Sequence, residues 1–116
     1  MHFRKKISSY VMLLYIYDED FWGYFLYDKG KEIDRFSPEP EYFGGDGNSV
    51  KYKGSAEKIA KYFGISKESI EKYLINWTDE HYDEGDIKAY ENDEYAYTDC
   101  WQMADFMDKL GFPYEW

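Results

Sequence analysis

The sequence predicts an α+β protein. It is expected to form a three-stranded antiparallel β-meander, or a four-stranded one if residues 50–53 join it, followed by three helices packed on one face of the sheet. The first 36 residues contain two apolar or aromatic segments and a third, mostly charged one, separated by short turns, which is typical of strands. From residue 55 onward, apolar residues recur at helical spacing between capping residues. A chain whose strands come first and whose helices follow is typical of an α+β domain.

Length and composition predict a single folded domain over residues 1–116. A chain of 116 residues builds one hydrophobic core and is too short for two. Aromatic residues make up 22% of the sequence, whereas disordered chains are poor in such residues. Tyrosine accounts for 14 of them, so we expect an aromatic core whose phenol hydroxyls lie near water.

The first predicted strand covers residues 7–17, which are almost all apolar or aromatic, as in a strand covered on both faces. The preceding FRKK gives this end a loose similarity to a secretory signal, but no small-residue cleavage site follows. The run is also too short to span a bilayer. The only cysteine, Cys100, cannot form an internal disulfide, which indicates a reducing compartment. We therefore expect a cytoplasmic protein with no membrane contact.

Two further strands are predicted at residues 21–27 and 31–36. The DKG between them places a glycine where a short hairpin loop requires positive φ. The second of these strands carries four charged residues, which suits a solvated edge. The prolines of SPEPEYF end it, because proline cannot donate to a ladder. GGDGNS (44–49) is then a connection, and VKYK (50–53) is the candidate fourth strand.

Three helices are predicted after the strands. The first covers residues 55–64, with Ser55 as its N-cap and a glycine at its left-handed C-terminal position. The second begins at Ser66 and continues to about residue 77. The third begins at residue 98 or 99 and stops at the GFP of residues 111–113. The apolar face of this last helix contains Cys100, Met103, Ala104, Phe106, Met107 and Leu110.

The segment EKIAKYFGISKESIEKYL (57–74) and its N-cap Ser55 form a unit, residues 55–74, that resembles the helix-turn-helix of DNA-binding regulators. Ala60 and Gly64 fall at the small and turn positions of that motif, and Ile59 and Ile70 at its buried positions. The resemblance implies that the second helix faces the major groove. The alternative is a helical hairpin with no role in DNA binding, because such a hairpin needs the same small residues at its turn. Two of the six residues presented to DNA would also be acids, which are unfavourable beside phosphate.

Residues 79–99 carry most of the negative charge. The chain has 24 acids against 14 Lys and Arg, a net charge of −10. Nine carboxylates and one lysine give this segment a net charge of −8. Phosphate backbones repel such a surface, and basic proteins are attracted to it. A disordered linker would not contain so many apolar and aromatic residues, so we expect a loop or edge strand held against the sheet: Tyr82, Ile87, Tyr90, Tyr95 and Tyr97.

A regular calcium-binding loop is not expected in this segment. Such a loop alternates acids with other residues, turns at a glycine and ends in a glutamate. Counted from Asp79, the third position is His81 and the twelfth is Tyr90, so the pattern fails. An irregular Ca²⁺ site remains an alternative, and neither a metal ligand set nor a cofactor is predicted.

Catalytic motifs are sparse. The sequence contains no nucleophile elbow, no paired cysteines and no histidine cluster. Cys100 shares an apolar helical face with two methionines, so a buried structural thiol is expected. Glu80 or Asp83 could serve as an acid or base with His81, but only their proximity supports this. We therefore predict that the protein is not an enzyme.

Clustered carboxylates with tyrosines between them resemble, in composition, small bacterial immunity proteins and phage-encoded nuclease inhibitors. The resemblance implies a non-enzymatic acidic binding or inhibitor protein that recognises a basic protein partner, such as a toxin or a nucleic-acid-handling enzyme. The acids would steer the encounter and the rings would supply anchors. The alternatives are a DNA-binding regulator using residues 55–74 and, third, a Ca²⁺-binding or small enzyme site in the acidic loop. The expected partner-binding residues are Asp79, Glu80, Asp83, Glu84, Asp86, Tyr90, Glu91, Asp93, Glu94 and Tyr95.

Overall fold

The computed structural model describes residues 2–7, 10–43 and 48–114. Its strands form one antiparallel sheet in which the spatial order follows the chain. Helices follow the strands, which confirms the predicted α+β class and the antiparallel meander. The four strands are β1 (His2–Ile7), β2 (Tyr10–Tyr17), β3 (Phe21–Asp28) and β4 (Lys31–Phe36).

Tight turns whose residues have positive φ join β2 to β3 and β3 to β4. Lys29 and Gly30, at φ 51° and 81°, connect β3 to β4, as the DKG predicts. Asp18 and Glu19 connect β2 to β3 at φ 52° and 61°, and a 2.9 Å backbone hydrogen bond closes this turn. The β3–β4 turn is a two-residue hairpin loop between the paired residues Asp28 and Lys31. Three residues separate Tyr17 from its partner Phe21, and β2 pairs with β3 along its whole length.

Two strand boundaries differ from the prediction. The strand predicted over residues 7–17 is shorter, because a separate N-terminal strand, β1, pairs with β2. The strand predicted at 50–53 is wrong: one helical turn, Asn48–Lys51, covers its first half, and Lys53 makes only an isolated bridge to Phe36. Charged residues are tolerated at a sheet edge, so the basic FRKK forms a strand that a search for apolar runs does not find.

The described residues form four α-helices and three 3-10 helices. None of these helices is long and apolar enough to cross a membrane. The connection predicted at residues 44–49 lies mostly outside the described residues. The α-helices are α1 (Asn48–Lys51), α2 (Ala56–Phe63), α3 (Asp79–Glu84) and α4 (Gln102–Leu110), and the 3-10 helices are Pro40–Phe43, Lys67–Ser69 and Glu71–Tyr73.

Helix α2 has the caps that its sequence predicts. The hydroxyl of Ser55 accepts a hydrogen bond from the backbone N–H of Lys58 at 3.2 Å. Gly64 ends the helix at φ 68°, and its N–H donates to the carbonyl of Ala60. This first helix of the predicted hairpin is therefore confirmed.

The helix predicted over residues 66–77 is wrong. Two 3-10 helices, Lys67–Ser69 and Glu71–Tyr73, replace it, and the side chain of Ser66 makes no capping hydrogen bond. Ile70 separates them at φ −133° and ψ −9°, outside the helical region. The continuous recognition helix that the helix-turn-helix resemblance implied is therefore not formed.

Helix α4 begins about three residues later than predicted. Thr98 lies at φ 73°, and the Asp99 carboxylate accepts a hydrogen bond from the backbone N–H of Trp101 at 2.9 Å. This local turn uses backbone groups that an earlier helix start would need. The predicted stop is confirmed, since Gly111 ends the helix at φ 94°.

The buried face of the sheet is aromatic, and it holds α4 in place. The ring centroid of Phe106 on α4 lies 4.9 Å from that of Trp22 and 5.6 Å from that of Tyr24. The indole N–H of Trp22 donates to the side-chain oxygen of Gln102, at the start of α4, over 3.1 Å. The position of α4, and of the acidic segment that leads into it, is thus set by the core.

Candidate partner-binding surface

Helix α3 opens the acidic segment and is capped at both ends. The hydroxyl of Thr78 accepts from the backbone N–H of His81 at 3.4 Å, and Nδ1 of His81 accepts from the N–H of Thr78 at 2.9 Å. This is a capping box with histidine in the usual Glu or Gln position. Gly85 ends the helix at φ 69°. The helix thereby presents four exposed carboxylates: Asp79, Glu80, Asp83 and Glu84.

Tyr82 attaches α3 to the proline-containing segment after β4. Its hydroxyl donates to the Glu39 carboxylate, and its ring centroid lies 6.4 Å from that of Trp77. Partial burial and then Glu39 raise the pKa of Tyr82 above its ordinary value. Tyr82 is nevertheless 52% exposed, more than any other aromatic residue in the segment. It therefore belongs with the exposed acids, although the sequence analysis did not select it.

The hydroxyl of Tyr90 joins the acidic segment to the 3-10 helices. It accepts from the backbone N–H of Lys72 at 3.2 Å and donates to the carbonyl of Glu68 at 2.6 Å. These two backbone groups are the pair that would bond to each other in an α-helix. The hydroxyl of Tyr97 donates to the carbonyl of Lys72 at 2.6 Å. Two tyrosines of the acidic segment thus satisfy backbone groups that the 3-10 geometry leaves open.

Asp93 lies in the interior, with 6% of its surface exposed. Its carboxylate accepts from the hydroxyl of Tyr73 at 2.7 Å, from Nζ of Lys109 at 3.1 Å and from the backbone N–H of Tyr90 at 3.1 Å. Nζ of Lys109 also lies 4.5 Å from the ring centroid of Tyr90, within cation–π range. Burial, followed by the hydrogen bond to Asp93, raises the pKa of Tyr73. The network compensates this buried charge and ties residues 90–93 to α4.

Asp105 on α4 forms a second attachment. Its two carboxylate oxygens accept from the backbone N–H groups of Glu94 and Tyr95, at 3.1 Å and 2.9 Å. Burial raises the pKa of Asp105, and the two N–H groups oppose that shift by stabilising the charged form. The acidic segment is therefore attached to the helices, whereas the sequence analysis expected attachment to the sheet.

The predicted partner-binding residues divide into two groups. Asp93 is buried and Tyr90 is half-buried, and the side chains of both support the segment through hydrogen bonds, whereas the half-buried Tyr95 is attached through its backbone N–H. No periodicity in this irregular stretch of the sequence distinguishes Asp93 from its exposed neighbours, so the sequence predicts the same role for all ten residues. The exposed acids, here called the acidic surface, are Asp79, Glu80, Asp83, Glu84, Asp86, Glu91 and Glu94.

The candidate acid–base and thiol groups have structural contacts. Nδ1 of His81 is used in the α3 cap, and its ring lies 4.4 Å from that of Tyr97. Cys100 is buried, and burial followed by the charge of Asp99 raises the pKa of its thiol. A raised pKa keeps the thiol protonated, which is unfavourable for a nucleophile.

Within residues 2–7, 10–43 and 48–114, no group of three or more His, Cys, Asp and Glu side chains is placed to hold a metal ion. No family model, curated protein or solved structure matches the chain. The class of protein therefore rests on the chemistry of its own surface.

Proposed function

We propose that the protein is a non-enzymatic acidic binding protein, of the inhibitor type, that recognises a basic protein partner through the acidic surface. The observation that carries this proposal is the contrast between exposed charge and buried support. Seven carboxylates face solvent on a segment that is held by the hydrogen bonds of Tyr90, Asp93, Tyr97 and Asp105. This support holds the exposed acids in fixed positions, which favours recognition because less ordering is needed on binding.

The physical roles of the two components differ. Exposed acids concentrate negative potential and accelerate the encounter with a positively charged protein. They contribute little to affinity individually, because each is solvated and screened by salt. An aromatic side chain has to supply the desolvated contact, and Tyr82 is the exposed ring at the centre of α3.

The DNA-binding alternative has no comparable support. Residues 67–73 form two 3-10 helices and present no continuous helix for the major groove. The backbone groups of Glu68 and Lys72 in that stretch are bonded to the Tyr90 hydroxyl, so the stretch also serves as a base for the acidic segment.

Affinity capture from an extract of the native host tests the proposal. Immobilised wild-type protein is compared with a surface variant in which Asp83→Asn, Glu84→Gln and Asp86→Asn remove three exposed charges. We expect the wild type to retain a basic protein at low salt and the surface variant to lose it.

A control variant removes the same number of charges elsewhere, at three exposed positions near the hairpin: Glu57→Gln, Glu68→Gln and Glu71→Gln. It should retain the same basic protein as the wild type. Equal retention by all three proteins would contradict the proposal, because it would separate binding from the acidic surface.

A further inference from the structure

A cavity of about 470 Å³ lies between the β2–β3 turn and the residues that lead into α4. The acidic segment ends beside it, because Asp99 immediately precedes the lining residue Cys100. The cavity is outside the acidic surface and uses residues that the proposed function leaves unassigned: Ile16, Asp18, Glu19, Cys100 and Trp101.

Three different chemistries line this cavity. Its deepest part is apolar, since Ile16 and Cys100 are each 7% exposed. One wall is the indole of Trp101, whose ring centroid lies 5.2 Å from that of Tyr114. The rim is anionic, because two of the three carboxylate residues of the β2–β3 turn, Asp18 and Glu19, line the cavity and are exposed to solvent.

The electrostatics of the thiol agree with this geometry. After burial, the charges of Asp99, Glu19 and Asp20 raise the pKa of Cys100. Carboxylates on both sides of the cavity therefore act on the Cys100 thiol. Glu19 and Asp20 belong to the β2–β3 turn, and Asp99 belongs to the end of the acidic segment. An anionic occupant is disfavoured there, and a cationic one is favoured.

We propose that this cavity receives an arginine side chain of the basic partner. The aliphatic stem of arginine suits the apolar interior, and its planar guanidinium stacks on an indole. The same guanidinium donates in a fork to carboxylates such as those of Asp18 and Glu19. A compact lysine ammonium is more strongly hydrated and gains less from the ring. This inference rests on the proposed function and adds to Tyr82 a second desolvated contact, outside the acidic surface.

A short peptide tests the cavity without the natural partner. The probe is acetyl-Gly-Arg-Gly-amide, titrated into the ¹⁵N-labelled full-length protein while the indole N–H of Trp101 and the amide of Cys100 are followed by NMR. We expect saturable shifts at both signals. The same peptide with citrulline, which has the shape of arginine without its charge, should bind about tenfold more weakly.

Variants locate the site. Asp18→Asn with Glu19→Gln removes both charges with side chains of nearly the same shape, and it should weaken binding of the arginine peptide about tenfold. Glu57→Gln with Glu68→Gln in the hairpin removes the same charge outside the acidic surface and should change binding by no more than about twofold. Absence of shifts at Trp101 and Cys100, equal binding of the citrulline peptide, or unchanged binding by the turn variant would each overturn the inference. None of these results would affect the proposed function, since loss of the host protein by the α3 surface variant tests that separately.

Discussion

The hydroxyl of Tyr73 donates a 2.7 Å hydrogen bond to the carboxylate of Asp93 in the protein interior. Tyr73 ends the second 3-10 helix of the hairpin, and Asp93 lies 20 positions further along the chain, in the irregular stretch before α4. Their bond fixes the middle of the acidic segment against the second 3-10 helix of the hairpin, and Lys109 completes it from α4. The exposed acids on either side of Asp93 are thus held in place by an ionic contact whose carboxylate is buried.

The first prediction concerns that contact. Lys109→Met removes the cation and leaves the Asp93 carboxylate buried with fewer partners, so the free energy of unfolding should fall by about 2 kcal/mol. Urea unfolding at neutral pH measures the change. Lys88→Met, at an exposed position of the same segment, is the control and should stay within about 0.5 kcal/mol of the wild type. Equal stability of the two variants would show that Asp93 does not need its counter-ion.

The second prediction concerns the hydroxyl of Tyr90. Tyr90→Phe removes the bridge between the carbonyl of Glu68 and the N–H of Lys72, and should cost about 1–2 kcal/mol in urea unfolding. Hydrogen exchange at the Lys72 amide should become faster, since its acceptor is gone. Tyr95→Phe is a matched control, because no hydrogen bond of the Tyr95 hydroxyl is found within the described residues. An unchanged exchange rate at Lys72 in Tyr90→Phe would rule out the bridge.

The third prediction concerns alkaline pH. Burial, followed by the charges of Tyr90 and Asp93, raises the pKa of Tyr97 from 10.0 to about 12. Because the folded state holds this proton more tightly than the unfolded chain, the resulting stability is fully present below pH 10 and is lost as the pH rises toward 12. Burial shifts the pKa of Tyr24 and Tyr73 in the same direction.

The free energy of unfolding, measured in urea, should therefore decline between pH 10 and pH 12. Tyr97→Phe should start lower, because it loses the hydrogen bond to the carbonyl of Lys72, and should decline less steeply. Parallel curves for the two proteins would mean that the proton of Tyr97 is not linked to folding.

The fourth prediction addresses the alternative of DNA binding. With a net charge of −10 and no continuous recognition helix, the protein should not retard duplex DNA even at low salt, where phosphate contacts are strongest. An electrophoretic mobility assay measures this. Retardation that disappears when Lys67 and Lys72 are replaced by Ala would place a DNA-binding site on the hairpin and reverse the order of the two functions.

The sequence predicts those parts of the fold that depend on neighbours in the chain. The glycine of DKG predicts the β3–β4 turn, and Ser55 and Gly64 predict both ends of α2. The prediction of the second helix is wrong because a distant side chain determines the backbone hydrogen bonding there. The hydroxyl of Tyr90 binds the two backbone groups that would pair with each other in an α-helix. Capping and periodicity at residues 66–77 contain no information about that contact.

The candidate site shows the same limit. The charge run predicts exposed carboxylates, and seven of the ten selected residues are exposed acids. The burial of Asp93 depends on Tyr73 and Lys109, which approach from other elements, so its role as a support was not predictable. Tyr82 could have been selected from its position between acids on a short capped helix.

The most direct measurement is the association rate of the captured basic partner as a function of salt. Stopped-flow mixing compares the wild type with the surface variant at Asp83, Glu84 and Asp86. The surface variant should associate about tenfold more slowly at low salt, with a shallower salt dependence. The control variant, neutralised in the hairpin region, should remain within about twofold of the wild type at every salt concentration. If the surface variant instead keeps the rate and salt dependence of the wild type, the acidic surface does not guide binding and the central claim is wrong.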